Sequence, residues 1–167
     1  MSAESQVLQF SNAGIYRAIL MGGLAAGVLD ITAAFLNSGL RGRSPMWVLQ
    51  SVASGLLGSA SFNGGLLTAA LGAAVHFFIA FVACSVYVAL SLKFAALSRR
   101  VIVCGVVYGI AVYLFMYGVV LPLTFGRSFF HPTSAVVINL LIHISCVGLP
   151  IAIVSGWYLR SNTHRCG

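Results

Sequence analysis

A chain of 167 residues that is 60% hydrophobic and only 7% charged, with a mean hydropathy of +1.02, lacks the polar surface that a soluble globular monomer needs. Its formal charge of +7 arises from nine Lys and Arg against two acidic residues, Glu4 and Asp30. The basic residues stand singly at the ends of apolar runs and form no stripe, which excludes nucleic acid as a partner and leaves positive charge to set membrane topology.

Four apolar runs are long enough to cross a bilayer as helices: 18–36, 66–92, 101–125 and 135–158. They are continuous and rich in Ala, Leu and Gly, whereas barrel strands would be short and alternating. Little chain is left outside them. The expectation is one all-α unit over 1–167, a four-helix transmembrane bundle with the lipid bilayer as its first partner.

The first run follows a leader without a basic cluster, and its Arg17 flank comes late, so it reads as a retained span and not as a cleaved signal. It carries Gly23 and Gly27 four residues apart and then Asp30. The stretch 37–65 is too long for a simple connector. Ser44 followed by Pro45 is a helix start, a capping hydroxyl and then a ring whose missing N–H costs nothing at the first helical position. Met46, Leu49, Val52, Ala53, Leu56 and Leu57 recur at helical spacing, with Gln50, Ser51 and Ser54 between them, until Gly58. This predicts an amphipathic helix over 45–57, too short to span, that either lies in the outer interface or re-enters the bundle.

The second span lines up Thr68, Gly72, His76, Ala80 and Cys84. The third carries Gly105, Gly109 and Met116, and Pro122 loosens its outer end. The fourth carries Asn139, His143, Cys146 and Pro150; the proline frees a carbonyl near Cys146, so a kink is expected there. Small residues spaced by four mark the faces on which helices approach in lipid. Each polar residue rides on such a face, and the surplus of small faces predicts a homo-oligomer. Cys84, Cys104, Cys146 and Cys166 form no CxxC pair and read as reduced apolar residues.

With both termini on one side, that side holds Arg17, Lys93, Arg99, Arg100, Arg160 and Arg165, and the other holds Arg41, Arg43 and Arg127. The bias places both termini in the cytoplasm. Trp157 and Tyr158 then fall at the inner interface, and Trp47, Phe129 and Phe130 at the outer one. At 1.5 Å per residue, Asp30, His143 and His76 lie about 9, 12 and 15 Å below the outer ends of their spans. A carboxylate at such depth needs a hydrogen-bonding partner, a cation or a proton. Histidines are the candidates within the spans, so Asp30 is expected to approach His76 or His143.

Three functions follow. The first is a proton-linked or cation-handling site made of Asp30, His76 and His143, with Asn139 and Met116 in support. The second is a redox protein in which His76 and His143 ligate a haem or a copper ion. The third is a non-catalytic assembly protein. The chain contains no nucleotide loop, nucleophile elbow or HExxH, so an enzyme is not expected. With its four spans, the Arg43-Ser44-Pro45 turn after the first, His76 in the second and His143 in the fourth, the chain resembles small bacterial inner-membrane proteins of the YagU type. The resemblance implies a bacterial inner membrane and four helices, and it brings no activity with it.

Overall fold

In the computed structural model, residues 9–126, 134–161 and 163–164 are described. Glu4, Arg127, Phe129, Phe130, Arg165 and Cys166 lie outside the described residues. Helix α1 (Asn12–Gly39) starts where the Ser11 hydroxyl accepts the Gly14 N–H at 3.1 Å. Helix α2 (Pro45–Leu57) starts as its sequence predicts, with the Ser44 hydroxyl accepting the Trp47 N–H at 3.2 Å. It ends at Gly58, whose φ of 60° only glycine adopts readily. A 3-10 turn, Gly58–Asn63, then leads into α3 (Gly65–Lys93). The short α4 (Ala95–Arg99) turns the chain into α5 (Val101–Phe115), and α6 (Leu121–Phe125), α7 (Ser134–Ile142) and α8 (Leu149–Ser161) follow.

Four stretches are long and apolar enough to cross a membrane: Asn12–Gly39, Gly65–Lys93, Val101–Phe125 and Ala135–Ser161. The last two contain π-helical segments, Met116–Val120 and His143–Gly148. Each lies two residues before a proline, Pro122 or Pro150. A proline ring clashes with the carbonyl four residues back and offers no N–H to it; opening the preceding turn to a five-residue bond relieves the clash. The bonds from Leu121 N to Met116 O and from Leu149 N to Ile144 O have that wider span. The irregularity expected at Pro150 is therefore a widened turn, and Pro122, expected only to loosen an exit, produces another.

Helix α1 packs between α3 and α8, and α8 with the His143–Gly148 turn packs on α5. Glycines permit the close approaches. A methyl at Gly27 would lie 2.7 Å from the Phe77 ring, and one at Gly23 would collide with Phe81. Gly109 sits against the backbone of His143 and Ile144, and Gly148 against that of Gly105 and Gly109. The small faces that motivated self-association are thus occupied within one chain. Ala18, Ala26, Cys84, Val88, Ile151 and Leu159 form the dry centre, while Leu24, Phe78, Val107 and Leu141 point outward as a lipid-facing belt.

Helices α3 and α5 meet where the Tyr108 hydroxyl donates to Ala83 O at 2.6 Å and the Tyr87 and Tyr108 rings stand 4.9 Å apart. Farther toward α2 they part, and α2 bridges the gap. Its Leu49 and Ala53 backbone lies directly on Gly72 of α3, and its Gly55 faces Thr124 of α6. Of the predicted apolar stripe Ala53 is buried, Leu49 and Val52 are half-buried, and Met46, Leu56 and Leu57 are exposed, while Val48 and Gln50 are buried as well. Contact with Gly72 demands a small residue, Ala53, and Gln50 donates to Gly65 O at 3.1 Å at the start of α3. At the opposite end of the bundle, Gln9–Phe10 (β1) pairs antiparallel with Thr163–His164 (β2), so the segments that flank α1 and α8 meet there.

Candidate functional site

The gap between α3 and α5 is a cavity of about 970 Å³. Ala83 and Val112 line it toward the termini, Ala26 and Asp30 of α1 and His143 and Val147 form its back, and α2 covers it. Asp30, His76, Met116 and His143 all line it. Each stands roughly ten residues, or about 15 Å, from the α2 end of its span, so four elements contribute to one layer.

His76 Nε2 bonds Gly27 O on α1 at 2.9 Å, and His143 Nδ1 bonds Asn139 O, one turn back on its own helix, at 2.8 Å. A carbonyl only accepts, so these nitrogens carry protons, and in a neutral ring the lone pair then lies on His76 Nδ1 and His143 Nε2. The Tyr113 and Tyr117 rings stack at 4.6 Å and meet His143 edge-on at 5.5 and 5.8 Å. Tyr117 also interacts with the Asn139 side chain and lies within the electrostatic reach of Asp30 and Arg41.

The Asp30 carboxyl itself makes no hydrogen bond or ion pair among the described residues. The pairing expected with a histidine is therefore not made: Asp30 and both histidines share the cavity, but His76 bonds the Gly27 carbonyl one turn away on α1. Helix azimuth explains this, since depth alone cannot bring two side chains into contact. Arg41, the nearby cation, donates to Asn37 Oδ1 at 3.3 Å. Among the described residues no three His, Cys, Asp or Glu side chains converge as a metal site requires, so the geometry lends nothing to a copper centre. Asn139 acts as a tie between α7 and the Met116–Val120 turn.

Sequence reasoning missed Tyr113, Tyr117 and the α2 wall. A signal for the tyrosines existed: Gly105, Gly109, Tyr113 and Tyr117 continue one line at spacing four. On α2, the Ser51 and Ser54 hydroxyls line the cavity while donating to Val48 O at 2.6 Å and Ser51 O at 2.7 Å, and Thr124 on α6 donates to Val120 O at 2.7 Å. No known protein family, curated protein or solved structure matches the chain.

Proposed function

We propose that this multi-pass membrane protein handles protons or cations through the cavity lined by Asp30, His76 and His143, in a bacterial inner membrane with both termini cytoplasmic. One observation carries the reading: a carboxyl without a bonded partner among the described residues lines a cavity between membrane-spanning helices that two imidazoles, each with one nitrogen bonded to a carbonyl, line as well. A bare carboxylate at that depth costs about 2.5–3.5 kcal/mol on the insertion scale, so the site draws in a proton or a cation. Carboxylate and imidazole exchange a proton readily once their surroundings bring their affinities together.

The bilayer location rests on the apolar spans and on the YagU-type resemblance, and the orientation rests on the six basic residues flanking the termini side against three on the other. All of the cavity-lining residues named belong to one chain, so the reading does not depend on a homo-oligomer. The test is flux in proteoliposomes carrying an internal pH dye and an imposed proton or potassium gradient. Wild-type protein should dissipate the gradient, and Asp30→Asn, inserted to the same level, should reduce the rate at least tenfold. Equal rates for the two proteins would end this reading.

A further inference from the structure

We infer that the cavity binds an organic ammonium ion, a protonated amine on an apolar body, with its N–H groups directed at Asp30 and the free nitrogens of the histidines; this rests on the cation-handling reading above. Size is the first argument. About 970 Å³ is far more than an ion or a water needs, a water occupying roughly 30 Å³, and it falls in the range of pockets that hold small organic molecules. The walls are the second, because Val75, Ile79, Val112 and Val147 give the layer an apolar surround suited to a hydrocarbon body.

The third argument is the donor and acceptor census of the wall. His76 and His143 line the cavity and have each committed an N–H to a backbone carbonyl, which leaves the second nitrogen of a neutral ring as an acceptor. Ser51, Ser54 and Thr124 have each committed their one hydroxyl proton to a carbonyl and can now only accept. Asp30, when ionised, is an acceptor and the only carboxylate among the described residues of the wall. Two imidazoles share the carboxylate's layer, and the three hydroxyls that line the cavity from the α2 end have each spent their proton on a carbonyl. The Trp47 indole N–H and the Ser59 hydroxyl are the donors that remain, and they belong to the α2 end, where Ser59 is exposed. Among the described residues, Arg43 stands over the Trp47 ring at 4.6 Å and Arg41 donates to Asn37.

An anion in this layer would meet lone pairs and a like charge. A neutral alcohol would satisfy one acceptor and leave the carboxylate uncompensated, and burying unpaired polar groups is costly. A quaternary ammonium would neutralise Asp30 but has no N–H to give. Only a protonated amine supplies both charge and donors.

The test is calorimetric binding to the full chain in lipid nanodiscs, with 1-naphthylmethylamine, its trimethylammonium analogue, 1-naphthalenemethanol, 1-naphthylacetate, and KCl or NaCl alone. The amine should bind at least tenfold more tightly than the quaternary analogue and the alcohol, and the acetate should not bind. Asp30→Asn should weaken amine binding at least tenfold. If Asp30→Asn fails to insert, Ile79→Trp, which fills the cavity from α3, should abolish amine binding on its own. Binding of the alcohol or acetate as tight as that of the amine, or full amine affinity in Asp30→Asn or Ile79→Trp, would overturn the inference. Asp30-dependent flux of protons or potassium with no amine binding would overturn it too while leaving the cation-handling reading in place.

Discussion

At Gly72 the whole placement of α2 depends on a missing side chain. A methyl there would run into the Leu49 carbonyl and crowd the Ala53 nitrogen, both backbone atoms of α2, so no rotamer change relieves the clash. Gly39 lies in the same kind of apolar helix with nothing within 4 Å of a built methyl. Gly72→Ala should therefore destabilise the protein by about 1–3 kcal/mol, as overpacking does. Gly39→Ala should stay within about 0.5 kcal/mol of wild type. Thermal unfolding in one detergent compares them directly, and equal midpoints would mean that α2 is not docked on α3. Gly72 was visible in the sequence as part of the line from Thr68 to Cys84, but its partner was not. Spacing by four identifies a face that packs closely and says nothing about which element packs there.

The elements themselves were largely legible because their boundaries are set by local chemistry: Ser44 and Pro45 open α2, Gly58 closes it, and the apolar runs set the spans. Two features were not. The outward part of the α2 stripe was misread because an amphipathic stripe in water turns inward, whereas lipid is as apolar as leucine and leaves Leu56 and Leu57 free to face outward. The widened turns were not foreseen because a proline states only that a carbonyl loses its donor; the fit of Gly109 against His143 and Ile144, a long-range contact, accompanies relief by a wide turn. Pro150→Ala lets that turn close to a regular α-helix, which rotates what precedes it by about 100° per residue removed and carries His143 out of the cavity layer. Because that rotation also unseats Gly109 from His143 and Ile144, the variant should lose at least tenfold in gradient dissipation and melt no higher than the wild type. Wild-type flux in Pro150→Ala would show that the widened turn does not position the site.

For the molecule as a whole, the layer that holds Asp30, His76 and His143 was legible from depth, because every helix rises by the same amount per residue whatever its neighbours. The enclosure of that layer was not, since it required knowing that α3 and α5 separate beyond Tyr108 and that α2 fills the opening. Topology rests on a count that can be altered without touching the cavity. The pairing of β1 with β2 brings the segments that flank α1 and α8 together, and an even number of spans agrees with it. Lys93, Arg99 and Arg100 supply half of the basic flank on that side and are all exposed, whereas Arg160 is tied to Ser98 O between α8 and α4. Replacing the three by Gln leaves Arg17, Arg160 and Arg165 against Arg41, Arg43 and Arg127, which removes the bias that orients the chain. Reporter fusions after Ser161 should therefore read as cytoplasmic in the wild type and as a mixture of both orientations in the triple variant. A wild-type fusion that reads as external would reverse the orientation of the site, and a triple variant as uniform as wild type would mean that something other than the Lys and Arg flank sets the topology.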